Sequence, residues 1–158
     1  MSSPLEQQPT PVVLLVSDIS GNRDFMISHK KALAHSKMII RELIEALIRQ
    51  IDVPLQLVDL EGDALFIYAP KTVDLSAWGR RGQRIVKRIL QMFTAFGRSI
   101  VEIGSYSVCR RPACSNITEL KLKIVVHSGE GLLNEVGGFP VLSGVDTIVV
   151  HRLLKNSV

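Results

Sequence analysis

Aromatic residues, cysteines and long apolar runs are all scarce in this chain. Aromatic side chains make up 5% of its 158 residues, with one tryptophan. The longest apolar stretches are about five or six residues, far short of the roughly 20 that a membrane-spanning helix needs. The N-terminus, Met-Ser-Ser-Pro-Leu-Glu-Gln-Gln-Pro-Thr-Pro, is polar and proline-rich. It lacks the basic start and apolar centre of a signal peptide. Residues 1–11 therefore read as a flexible tail, and a cytoplasmic location with no membrane partner is expected. The two cysteines, Cys109 and Cys114, have the spacing C-x4-C in a polar loop. A structural zinc site wants four nitrogen or sulfur ligands, and the four histidines are remote in sequence. Free thiols are the expectation, with a metal site or a disulfide as alternatives.

Apolar residues account for 46% and charged residues for 22%. That is an ordinary globular composition, and residues 12–158 suit a single domain with a real core. The net charge of +4 is a mild bias. Arg80, Arg81, Arg84, Lys87 and Arg88 cluster on one stretch, several on one helical face. A solvated helix face explains them. A docking surface for an acidic partner or nucleic acid is the sharper alternative. No aromatic interleaving supports it, and nucleic acid is not an expected partner.

The organising stretch is residues 11–22, Pro-Val-Val-Leu-Leu-Val-Ser-Asp-Ile-Ser-Gly-Asn. The continuous apolar run Val12 to Val16 predicts a strand buried on both faces. Asp18 ends it, just before a glycine turn and a helical pattern, well placed to hold a cation. Backbone N–H groups at the same turn can wrap an anion. Asp63 lies 45 residues later in Glu-Gly-Asp-Ala-Leu-Phe-Ile, again at the mouth of an apolar strand. The expectation is that the two carboxylates meet.

The helical pattern runs from Arg23 to Ile51, with Leu33, Ser36, Ile40, Leu43, Leu47 and Ile51 on one face and Asn22 as its cap. Its histidines, His29 and His35, read as surface or half-buried. Leu55–Leu60 and Ala64–Ala69 read as a hairpin closed at Glu61-Gly62-Asp63. A second helix spans Leu75 to Phe96, capped by Asp74 or Ser76 and stopped by Gly97. A strand over 120–129 follows, with Lys121 and Lys123 on its wet face and His127 near its end, tied to backbone. Residues 129–144 supply a hairpin or edge strand, and Val145 to Leu154 a short helix. Strand, helix, strand, strand, helix, strand is the ferredoxin-like βαββαβ pattern. The predicted class is α+β: an antiparallel sheet with helices on one face, extended by a hairpin and a short C-terminal helix.

Four motifs in this frame resemble class III adenylyl and guanylyl cyclases. Val-Ser-Asp-Ile-Ser-Gly is similar to their Asp-Ile-x-Gly-Phe-Thr, and Leu-Glu-Gly-Asp-Ala-Leu-Phe to their second Gly-Asp motif. Lys-Ile-Val-Val-His-Ser-Gly-Glu resembles their Arg-x-Gly-Ile-His-x-Gly strand. Ser-Gly-Val-Asp-Thr-Ile-Val-Val-His-Arg-Leu resembles their Gly-x-x-Val-Asn-x-Ala-x-Arg-Leu helix. The narrower resemblance is to bacterial cyclase-like proteins of the DUF2652 family, around Ser-Asp-Ile-Ser-Gly, Leu-Glu-Gly-Asp-Ala and Val-His-Arg-Leu-Leu-Lys-Asn-Ser-Val.

The resemblance implies that Asp18, Asp63 and the Ile19 carbonyl hold Mg²⁺ or Mn²⁺. It implies that Ser20, Gly21 and Asn22 cradle the phosphates of a nucleoside triphosphate. It implies a homodimer in which Arg152 acts as the transition-state arginine of the partner's site. Glu130 is a further candidate for the metal site. The departures are equally specific. The transition-state asparagine is replaced by Ile148, expected to be buried. The adenine-reading lysine is replaced by Asp59, and its polar partner by Val141. The family's Phe-Thr is replaced by Asn22-Arg23. The family's domain also continues with further strands and a phosphate-binding lysine, so a shortened piece or a minimal domain is expected here. Three functions follow: a metal–nucleotide or partner-binding module with weak or no turnover, an active metal-dependent cyclase, or a purely structural dimerisation domain.

Overall fold

The computed structural model describes residues 8–30, 33–105 and 116–156; Cys109 and Cys114 lie outside the described residues. The central strand β1 (Thr10–Ser20) begins two residues before the apolar run. It pairs antiparallel with β3 (Ala64–Pro70) on one side, Ser17 opposite Leu65. On the other side it pairs with β4 (Lys121–Val136), Asp18 opposite Lys123. With β2 (Gln56–Glu61) and β5 (Phe139–Ser143) the five-stranded order is β2-β3-β1-β4-β5, all neighbours antiparallel. The predicted α+β, ferredoxin-like arrangement is thus present, and the glycine-rich segment forms the expected hairpin. Its turn is Gly137-Gly138, both with positive φ (60° and 84°), as a tight two-residue loop demands.

Strand alternation sorts β1 into two cores, which is why its apolar run is unbroken. Val13, Leu15 and Ile19 pack under the helices α1 (Asn22–Ser28), α2 (Leu33–Ile48) and α3 (Leu75–Ser105). Val12, Leu14 and Val16 meet Tyr68, Ala64 and Val150 on the opposite face, where α4 (Val145–Lys155) lies. Truncating Leu15, 1% exposed, to alanine is expected to cost about 2–5 kcal/mol.

Four local expectations are corrected. First, the helical pattern from Arg23 breaks into α1 and α2 without Pro or Gly. His29 causes the break: its Nδ1 donates to the Phe25 carbonyl at 2.6 Å, the acceptor that the next helical N–H would otherwise use. His29 is buried, not half-buried, its ring tilted 51° against that of Phe25 and Asn116 Nδ2 at 3.3 Å from its Nε2. Leu33, at the start of α2, is consequently 44% exposed and not on the buried stripe. Second, Gly21 occupies the N-cap position of α1 at φ 87°, and no side chain caps the helix. Third, α3 runs through Gly97 to Ser105, because Phe96, Ile100 and Ile103 continue to pack on the core. That packing outweighs the roughly 1 kcal/mol cost of a helical glycine. The Asp74 cap does form, with the Ser76 N–H at 2.9 Å from Asp74 Oδ1. Fourth, Lys123 is not on a wet face. Its ammonium donates to the carbonyls of Leu154 (2.8 Å) and Asn156 (2.6 Å), at the negative end of α4.

Candidate functional site

Asp18 stands two residues beyond Val16 on the α4-covered face of β1, where the strand leaves its second core. Asp63 follows Gly62 in the two-residue loop between β2 and β3; Gly62 takes φ 63°, and beyond its chain neighbours a Cβ there would meet nothing within 4 Å. Because β3 lies beside β1, this loop comes to the end of β1 that carries Asp18. The two carboxylates interact. Burial raises the Asp18 pKa above its ordinary value, and the negative charge of Asp63 raises it further. Lys123 and the Ile19 N–H act in the opposite sense. Both aspartates are half-buried.

Asn22, at the start of α1, has a buried Oδ1 with no hydrogen-bond partner among the described residues. Asn22 and Asp63 both line a cleft of about 540 Å³ beside α2, with Met26, Ile40 and Ile44. Asn22 therefore presents an unused acceptor in the cleft that Asp63 lines rather than the predicted helix cap. Gly21 is required twice over: its φ is positive, and a Cβ there would come within 3.2 Å of the Glu119 carbonyl. Ser20 completes the turn, half-buried opposite Lys121.

The donor set can be tested against a cation. Among the described residues no group of three or more His, Cys, Asp or Glu gathers. Two carboxylates and a backbone oxygen are too few for a structural zinc or a calcium cage. They suit Mg²⁺ or Mn²⁺, which keeps several waters and completes its octahedron with phosphate oxygens. Such a hydrated ion would offset the Asp63 charge that raises the Asp18 pKa and would give the orphaned Asn22 acceptor a water to accept from. Glu130 does not join them. It is opposite Pro11, at the far end of β1, roughly 23 Å along the strand from the Lys123 position.

A second cavity, about 350 Å³, opens on the α4-covered face of the sheet, opposite to the cleft beside α2. Leu14 and Val16 of β1, Val58 and Asp59 of β2, Phe66 of β3, Val141 of β5 and Val150 and His151 of α4 line it. Val16 and Asp18 are two strand residues apart, about 7 Å. The cavity thus lies near Asp18, whereas Asp63 lines the other cleft. His151 stacks on Phe66 with ring centroids 4.2 Å apart and planes 22° from parallel. Its Nδ1 is 3.9 Å from Glu61.

The remaining sequence candidates separate. Arg152 is exposed on α4, lines neither cavity and has no hydrogen bond or ion pair among the described residues. Ile148, expected to be buried, is 55% exposed. His127 sits within β4 rather than at its end, since the strand runs on to Val136. It contacts the Asp146 carboxylate at 2.6 Å instead of backbone. In the basic stretch, Arg88 pairs with Asp52 at 2.7 Å, and Arg81 is bound to the Pro70 carbonyl. Sequence reasoning missed the His151–Phe66 stack and the Asn22 orphan. The first needs a strand residue and a helix residue 85 positions apart brought together, and no local pattern announces it.

Known proteins bear on this arrangement. The model of the family described as "Protein of unknown function (DUF2652)" matches residues 40–158. "Uncharacterized protein Rv2561/Rv2562" of Mycobacterium tuberculosis is 35% identical over 104 residues. That match takes in 66% of this chain but only 46% of the relative's length. A bacterial light-regulated adenylyl cyclase is 14% identical with a TM-score of 0.65, covering 92% of this chain and 69% of that one. The adenylyl cyclase CyaB from P. aeruginosa is 13% identical with a TM-score of 0.62, covering 92% and 71%. A class III adenylyl cyclase-like ATP-binding protein from Pseudomonas aeruginosa gives a TM-score of 0.69 at 14% identity, covering 91% and 31%. At these identities the likeness is one of fold: the α+β architecture is that of cyclase domains.

Proposed function

The chain belongs to the DUF2652 family, and we propose that it is a divergent class III cyclase-like domain that binds a nucleoside triphosphate with Mg²⁺ or Mn²⁺ and has weak or no cyclase turnover. The observation that carries this reading is that Asp63, in the β2–β3 turn, comes close enough to the end of β1 for its charge to raise the Asp18 pKa. A half-buried carboxylate whose charged form is disfavoured by burial and by a neighbouring acid is a poor stability device. With Asp63 it is a reasonable cation site.

In this reading Asp18, Asp63 and the Ile19 carbonyl hold the ion, which neutralises phosphate charge when bound. Asn22 Oδ1 accepts from water around the ion. The backbone N–H groups of Ser20, Gly21 and Asn22 face the outer phosphates. The cavity takes the base, with the Phe66–His151 stack as its wall. Turnover is limited because Ile148 offers no hydrogen to a developing oxyanion. Arg152 is exposed, as a residue that serves a partner's site in a homodimer must be.

The experiment is calorimetric titration of the chain with Mn²⁺ and nucleoside triphosphates, alongside an assay for cyclic nucleotide. Saturable metal-dependent binding with little product supports the reading. Binding that survives Asp63→Ala unchanged removes it. Rapid turnover would replace the binding module by an active cyclase.

A further inference from the structure

The basic stretch of the sequence lies on α3, and none of it lines either cavity. This helix of 31 residues is about 46 Å long and packs on the sheet face opposite α4. Its inner side holds Ile85, Met92, Phe96 and Ile103. A second apolar row runs along its outside: Val86 (56% exposed), Leu90 (61%), Phe93 (45%) and Val101 (68%). With Gly97 the row recurs every three or four residues, the spacing of a helix–helix seam. At about 100° per residue it is about 80° wide. Large apolar side chains exposed in one line mark an interaction surface.

The flank of the row says what fits it. Arg80, Lys87 and Arg98 fall within about the next 60° around the helix. None of the three forms an ion pair among the described residues, whereas Arg88 is paired with Asp52. Glu102 is the only acid in α3. An antiparallel second copy would set basic flank against basic flank, and a parallel copy offers no acid to meet it. A lipid surface would account for the cations but not for the glycines. Gly79 and Gly97 lie on the row, and a Cβ at either would meet nothing within 4 Å. Each weakens the helix, and no packing among the described residues explains it. The close approach of another helix does.

We propose that the outer row of α3 docks an amphipathic helix of a partner protein, apolar on one face and acidic along one flank. Leu90 and Phe93 insert between its apolar side chains, and Gly97 makes room for one of them. Arg80, Lys87 and Arg98 meet its carboxylates. The apolar row supplies the affinity; exposed ion pairs add little each and select the partner.

The test uses the full chain and a designed helical peptide of about four heptads, with Leu at a and d and Glu at e and g. A control peptide carries Lys in place of Glu. Fluorescence anisotropy should show saturable binding of the acidic peptide, at least about tenfold tighter than the control. Leu90→Gln, at an exposed position, should weaken it by about tenfold or more, with a melting curve confirming the fold. Lys87→Glu together with Arg98→Glu should reverse the preference between the peptides. Equal affinity for the two peptides, binding untouched by Leu90→Gln, or no binding of either overturns the proposal. Self-association of the chain that Leu90→Gln abolishes overturns it in favour of a second copy. Tighter binding to phosphatidylserine vesicles than to the acidic peptide, lost in Leu90→Gln, overturns it in favour of a lipid surface.

Discussion

Asp146 Oδ1 lies 2.6 Å from His127 Nε2 and so ties α4 to β4. The same carboxylate accepts the Glu130 N–H through Oδ2 at 2.8 Å. It reaches that position only because the intervening residue is Gly129: a methyl group there would overlap the Asp146 carboxyl. The contact matters beyond itself, since α4 carries His151 and Val150 to the cavity and presents Arg152 outward.

Gly129→Ala is therefore expected to destabilise the fold by about 1–3 kcal/mol, as overpacking does. Asp146 must rotate away, giving up both hydrogen bonds. In a denaturant titration, Gly129→Ala combined with Asp146→Ala should cost less than the two single changes summed. Simple additivity would show that the two residues do not compete for one space.

Acid should loosen the same contact. The Glu130 N–H, and then His127, hold the Asp146 carboxyl below the usual carboxylate range. A group whose folded pKa is depressed contributes stability above its unfolded value and loses it as pH falls through the folded one. Below the ordinary carboxylate range, wild type should lose more of its melting temperature than Asp146→Asn does. Parallel pH profiles for the two would count against the contact.

Asp18 has the opposite sign. Its folded pKa is raised, by burial first and Asp63 second, so stability is greatest with the group protonated and falls as pH rises through that value. Without metal at neutral pH, Asp18→Asn should melt above wild type, and the difference should vanish on acidification. With Mn²⁺ the order reverses. Wild type gains about 2.7 kcal/mol at a hundredfold excess over Kd, while the variant gains little. Equal Mn²⁺ responses in the two proteins would remove Asp18 from the ion.

Ile148→Asn restores a side-chain donor at an exposed position, so its effect on stability should stay within about 0.5 kcal/mol. On the proposed reading it raises cyclic nucleotide formation with Mn²⁺ by tenfold or more, a gain that Asp63→Ala then abolishes. Product measured by chromatography decides it. Unchanged turnover would mean that another group limits the reaction.

The strand–helix order and the doubly buried β1 were legible because they rest on local periodicity: an unbroken Val12–Val16 run has core on both faces wherever it is placed. Asp18 and Asp63 stood out in the sequence as acids near strand ends, Asp63 directly after Gly62 and Asp18 three residues before Gly21. The end of α1 was not, since His29 stops it with a side-chain hydrogen bond that no breaker residue signals. Gly97 misled for the converse reason: packing beyond it carries α3 onward. Ile148 read as buried from its neighbours, but its exposure depends on how α4 turns over the sheet.

The sequence by itself determined which residues are acidic, the order of the strands and of most helices, and the two buried faces of β1, because those follow from composition and spacing along one stretch of chain. Only the tertiary structure decided that Asp59 shares a cavity with Phe66 and His151 and that Asp146 reaches past Gly129 to His127. Those contacts arise from strand register, a bulge and the landing place of α4. All three are set by pairing between distant segments.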